Sequence, residues 1–125
     1  MPDALCIVIA DNRETSDGLH TYLNSRGIAT RTSRRLRDAH ALCANATALV
    51  LFPDDFADSD VLAGVNSLRS RHPQLLVMLV TGAAHRLRAL CEPDTRSPVP
   101  IVLPKPAFGW SLLDAMRSHM QIEPT

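Results

Sequence analysis

Several things are scarce in this sequence. Aromatic residues make up 4% of its 125 positions, so the stacked aromatic platforms that hold single-stranded nucleic acid are not expected. A charge excess is missing as well: thirteen Lys and Arg offset thirteen Asp and Glu, which argues against binding nucleic acid or an acidic membrane surface through an overall basic field. The three cysteines, Cys6, Cys43 and Cys91, are odd in number, widely spaced and without a C-x-x-C pair. A disulfide scaffold or thiolate zinc site is therefore not expected, and small buried thiols are. Five glycines are scattered with neither a G-x-G-x-x-G nor a Walker pattern, so a glycine-rich phosphate loop is lacking. No apolar run, Leu75–Val80 included, nears the roughly 20 residues of a membrane span. Met1-Pro2-Asp3 carries no basic leader, and a reducing, cytoplasmic location is expected. Lysine is almost missing: of the thirteen basic residues, Lys105 alone is not Arg.

What is present suits one globular domain spanning residues 1–125, with a core from about 5 to 120. Hydrophobic residues make up 46% and charged residues 21%, ordinary values for such a domain. Four apolar runs, Leu5–Ile9, Ala48–Phe52, Leu75–Val80 and Ile101–Leu103, lack polar alternation, the pattern of parallel strands covered on both faces. A weaker run, Ile28–Thr32, alternates and fits an edge strand. Helical spacing lies between them: Leu19, Tyr22 and Leu23; Leu36, Ala39 and Cys43; Val61, Val65 and Leu68; Leu113, Met116 and Met120. Gly27 punctuates the first helix, Pro73 stops the third, and Asp58, Ser59 or Asp60 is expected to cap the start of the third. A shorter stripe, Ala84, Leu87 and Cys91, precedes the proline-rich connection Glu92–Pro100. Strand–helix alternation repeated in this way predicts an α/β, doubly wound, five-stranded parallel sheet with helices on both faces.

In open α/β sheets, chemistry gathers beyond the C-terminal ends of the strands. There the sequence places Asp11 after the first strand, Asp54 and Asp55 after the third, Thr81 and Gly82 after the fourth, and Lys105 after the fifth. Carboxylates suit a hard cation such as Mg²⁺, and a hydroxyl with an ammonium suits phosphoryl oxygens. Each residue also has a plainer reading. Asp54 and Asp55 fit a loop or a helix cap. Asp11 fits a cap of the first helix, Thr81 a buried hydroxyl bonded to backbone, and Lys105 an ion pair with Asp11 or an acid of the strand-three loop. Arg31, Arg34, Arg35 and Arg37 read as a solvated second helix, and the five histidines show no metal-ligand spacing.

Taken in order, these features resemble the receiver domain of bacterial two-component signalling, the flavodoxin-like response-regulator module. The resemblance runs from Leu5 to Met120. It is carried by Arg71-His72-Pro73 leading through Leu75–Val80 into Thr81-Gly82, by Leu103-Pro104-Lys105-Pro106 running into Leu112-Leu113, and by Asp11 followed by Gly27. It implies strand order 2-1-3-4-5 and a site in which an aspartate after the third strand accepts a phosphoryl group from a histidine kinase. Mg²⁺ would be held by that aspartate and an acidic pair, with Thr81 and Lys105 contacting the phosphoryl group. It also implies a Lys105-Pro106 bond able to be cis. The sequence departs from the family where it matters. Ala10 stands where the first acid of the pair belongs. Pro53, which has no nucleophilic oxygen, aligns with the acceptor. Val102 takes the aromatic switch position, and Ala107 follows Lys-Pro in place of Phe. Asp54 lies one residue beyond the acceptor position, an offset that normally turns a side chain to the other face of a strand.

The resulting expectation is a signalling domain, not an enzyme, acting by protein–protein contact in a two-component or phosphorelay context, with aspartyl phosphorylation lost or impaired and Mg²⁺ weakly held or absent. The alternative is a working receiver phosphorylated on Asp54, with Mg²⁺ at Asp11 and Asp54. A third is another small flavodoxin-like binding module or enzyme. The resemblance puts the output face on the fourth helix, fifth strand and last helix, near Phe108 and Trp110. That face suits a protein partner or a homodimer.

Overall fold

The computed structural model of the chain describes residues 5–83, 85, 100–105 and 108–120. Five parallel strands, β1 (Leu5–Ile9), β2 (Ala29–Ser33), β3 (Ala48–Leu51), β4 (Leu76–Val80) and β5 (Ile101–Leu103), form one sheet in the order β2-β1-β3-β4-β5. Helix α1 (Arg13–Ser25) and the C-terminal helix α4 (Gly109–Met120) cover one face, and the short α2 (Ala39–Leu42) with α3 (Asp58–Arg71) covers the other. The doubly wound architecture expected from the sequence is the one observed. The stripe at Ala84, Leu87 and Cys91, most of the proline-rich connection, and the Lys105-Pro106 bond lie outside the described residues.

The pleat divides the strand side chains between two cores. Cys6, Val8, Val50, Met78 and Val80 pack with Leu19 and Leu23 of α1 and Leu112, Leu113 and Met116 of α4. Ile7, Ile9, Leu49, Leu51, Val77 and Leu79 pack with Ala39, Cys43, Val61, Val65 and Leu68. This two-sided burial explains why β1, β3 and β4 read as unbroken apolar runs, while β2, paired with β1 alone, keeps exposed polar positions. Cys6 and Cys43 are buried free thiols. Burial, and for Cys6 also the nearby Cys43, pushes each up to about 12, so neither is a ready thiolate nucleophile.

The helix ends refine the sequence reading. Asn12, not Asp11, caps α1: its side chain accepts from the Thr15 N–H at 3.0 Å. At the other end Gly27 takes φ 86°. Its N–H bonds the Asn24 carbonyl at 3.1 Å while the Ile28 N–H bonds that of Leu23 at 3.0 Å, a Schellman closure that needs the left-handed glycine. The expected second helix is broken: a 3-10 turn (Leu36–Asp38), the one-turn α2, and a second 3-10 turn (Cys43–Asn45). Its apolar stripe was legible, but only Ala39 and Cys43 of the segment are buried, too little tertiary packing to hold a continuous helix. At α3 the cap is Ala57, without a side-chain cap bond, and Asp58 and Asp60 instead sit inside the first turn. There they favour the positive end of the helix dipole.

Gly109 opens α4 against α1. A Cβ at this position would stand 2.5–2.9 Å from the Cδ2, Cγ and Cε2 atoms of Tyr22, and the Tyr22 ring is itself covered by the Arg26 guanidinium at 5.2 Å. Gly109→Ala is therefore expected to destabilise the fold by about 1–3 kcal/mol through overpacking, measurable by urea denaturation.

Candidate functional site

The site forms because strand β3 ends early. Extended pairing stops at Leu51. Phe52 leaves the β region at φ −104°, ψ 85° with its side chain buried, and Pro53–Asp55 make a 3-10 turn. Proline suits the first position of that turn, where it needs no N–H partner. The turn swings Asp54 over the ends of β4 and β5. Its Oδ1 accepts from the Thr81 hydroxyl at 2.5 Å, its Oδ2 accepts from the Gly82 N–H at 2.9 Å, and Lys105 Nζ lies 3.3 Å from the same Oδ2.

The offset of Asp54 from the acceptor alignment is thus overcome by the turn, and the expectation that it would face away is corrected. Asp54 does lie in the turn between strand and helix, as its plainer reading had it, and from there its carboxylate ties three strand ends together. Lys105 pairs with an acid of the strand-three loop, as one expectation had it. Pro53 is buried and contributes backbone shape only. Thr81 is 2% exposed; its hydroxyl accepts from the Ala83 N–H at 2.9 Å, the backbone bond expected of a buried hydroxyl, and also donates to the Asp54 side chain.

Asp11 is held differently. Its N–H donates to Asp55 Oδ2 at 2.8 Å. Arg34 grips it from the end of β2, with Nε donating to the Asp11 carbonyl at 3.0 Å and Nη2 to Asp11 Oδ1 at 3.3 Å. Two participants were not assigned from sequence: Asp55 as acceptor for the Asp11 amide, and Arg34 as partner of the Asp11 carboxylate. The second rests on strand register. Ile9 pairs with Ser33 in register, so Asp11 and Arg34 emerge beyond the same sheet edge.

Burial alone would raise the Asp54 carboxyl, but the Thr81 hydroxyl, the Gly82 N–H and Lys105 outweigh it and hold the group below its ordinary range. The ionised carboxylate is the state these donors favour. Among the described residues no group of three or more His, Cys, Asp or Glu is arranged to hold a metal ion. Phe108 and Trp110, 53% and 59% exposed, stack at 5.9 Å and 9° at the start of α4. Among the described residues no helix is long and apolar enough to cross a membrane.

No family model and no curated protein matches the sequence. Solved structures do. The chain is similar to NtrX from Brucella abortus, crystallised in complex with ADP, at 20% identity and a TM-score of 0.73, over 96% of this chain and 26% of that one. It is similar to the non-phosphorylated receiver domain of HemR from Leptospira biflexa at 14% identity and a TM-score of 0.72, with 98% of each chain covered. A CheY-like response regulator receiver domain from Methylobacillus flagellatus gives 18% identity and 0.72, over 94% of this chain and 99% of that one. The chain spans about a quarter of NtrX and nearly all of the two isolated receiver domains. The fold is that of response regulator receiver domains.

Proposed function

We propose that this chain is a receiver-type signalling domain read by protein–protein contact in a two-component or phosphorelay setting, with aspartyl phosphorylation impaired. One observation carries the reading. Both carboxylate oxygens of Asp54 are engaged, by the Gly82 amide and by the Thr81 hydroxyl and Lys105 ammonium, the two groups that the family resemblance assigns to a phosphoryl group. The unmodified side chain thus makes internally the contacts that would otherwise reward modification. A phosphorus atom and its oxygens on Asp54 Oδ1 would displace the Thr81 hydroxyl that donates to it. Admitting them means breaking a charge-assisted hydrogen bond to a buried hydroxyl, at about 1.5–3 kcal/mol. Donors on both oxygens also lower their nucleophilicity. Ala10 and Pro53, where the family carries acids, point the same way. The exposed Phe108–Trp110 stack supports the partner contact, since large apolar side chains in solvent commonly mark docking surfaces.

A second reading is favoured by a specific observation: Asp54, unlike Pro53, has an ionised carboxylate within reach of Thr81 and Lys105. In that reading an Asp54 oxygen attacks the phosphorus of a donor such as acetyl phosphate, forms the acyl phosphate and expels acetate.

Incubation with acetyl phosphate and Mg²⁺, followed by intact-mass spectrometry, separates the two. The expected result is an unmodified chain. A phosphoryl adduct that disappears in Asp54→Asn would overturn the impaired reading in favour of the second.

A further inference from the structure

We propose that Arg34 is a built-in cation of this site, holding the Asp11 carboxylate and so disfavouring a divalent metal ion there. The inference deepens the proposed reading and rests on it.

Mg²⁺ requires oxygen ligands in near-octahedral geometry and uses one or two carboxylates to hold it. Three carboxylates occur at this edge, and each has other work. Asp54 holds Thr81, Gly82 and Lys105. Asp55 accepts the Asp11 amide. Asp11 carries Arg34. The Asp11 pairing is the one most able to compete with a metal, because a guanidinium both offsets the carboxylate charge and occupies one of its two oxygens. Arg34 is also fixed in direction: Nε is anchored on the Asp11 main-chain carbonyl while Nη2 reaches the side chain. A planar fork can satisfy both acceptors together, whereas a lysine has one point charge.

The charge count agrees. Asp11, Asp54 and Asp55 supply three negative charges, against which Lys105 and Arg34 supply two positive ones. One net negative charge remains, and without Arg34 it would be two. Sequence and topology place this cation where it acts. Arg34 follows β2 directly, and β2 lies beside β1 with Ile9 opposite Ser33, so the arginine reaches residue 11 without a long loop.

The pair is well exposed, 59% for Arg34 and 60% for Asp11, which sets the scale of the effect. Exposed ion pairs are weak and screened by salt, so the expected gain in metal affinity on removing Arg34 is about fivefold at low ionic strength. The exposure also means that the arginine can be replaced without opening the core.

The test is titration with Mn²⁺, followed by electron paramagnetic resonance of the free ion, on the wild-type chain, Arg34→Ala, Arg34→Lys and Arg34→Ala/Asp11→Asn. Arg34→Ala is expected to bind Mn²⁺ about fivefold more tightly than wild type, Arg34→Lys, which keeps the charge and loses the fork, to fall between the two, and the double variant to lose the gain. Equal affinity in Arg34→Ala and wild type would overturn the proposal, as would a gain that survives Asp11→Asn or that Arg34→Lys shares in full. Phosphoryl labelling of the wild type tests the functional reading separately. An unlabelled wild type with no gain in Arg34→Ala sinks the Arg34 inference alone, whereas a wild type labelled at Asp54 sinks the reading beneath it.

Discussion

Replacing Asp54 with alanine is expected to lower the unfolding free energy by about 2 kcal/mol, the scale for losing hydrogen bonds to a charged group while leaving a buried partner unsatisfied. The cost concentrates at Thr81. Its hydroxyl is nearly inaccessible to water and donates only to Asp54 among the described contacts. The Gly82 amide and the 39% exposed Lys105 can turn to solvent and contribute less. Asp54→Asn keeps the shape and one acceptor, and about half the loss is expected. Acid should reproduce part of the effect. The folded protein holds the Asp54 proton more weakly than the unfolded chain does, since its carboxyl lies below the ordinary 3.8. The stabilisation is therefore complete above that ordinary value and disappears as pH falls through the lower folded value. Urea denaturation from pH 7 down to pH 3 should show a steeper acid loss for wild type than for Asp54→Asn (about the pH range of carboxylate titration). Parallel curves would remove Asp54 from the account of stability.

Leu51→Ala is expected to cost more, about 3 kcal/mol, a large share of the roughly 5–15 kcal/mol available to a domain of this kind. Leu51 is fully buried, the last residue of the central strand, with Ile9 and Leu79 beside it in register. Truncation opens a cavity directly beneath the turn that carries Asp54. The loss should thus appear twice: in the denaturation midpoint, and as faster hydrogen exchange of the Gly82 amide, whose acceptor is on that turn. A destabilised protein with unchanged exchange at Gly82 would mean that the turn holds its shape independently of the strand under it.

Part of this molecule could be read without coordinates. The strands fall within a residue or so of the apolar runs, since residues buried on both faces of a sheet must be apolar at every position. Helix α1, with its glycine closure, was equally legible, because left-handed backbone after an apolar stripe has few other uses. The convergence of Asp54, Thr81 and Lys105 on one edge followed from strand direction alone. The second helix was not legible in its broken form. Its stripe reports which side faces inward, and says nothing about whether backbone hydrogen bonding continues from one turn to the next.

The sequence by itself determined where apolar strands and helices lie, and with them the sheet and the edge to which polar side chains are delivered, because burial imposes a period on the residues. Only the tertiary structure decided which carboxylate meets the hydroxyl and the lysine, and which is taken by arginine. The strict alternation of side chains holds only while the backbone stays extended. At Phe52 it leaves that conformation, and from there the direction of Asp54 is set by a 3-10 turn, just as the fate of Asp11 is set by an arginine twenty-three residues away in sequence. Both are contacts between distant segments, which no local pattern encodes.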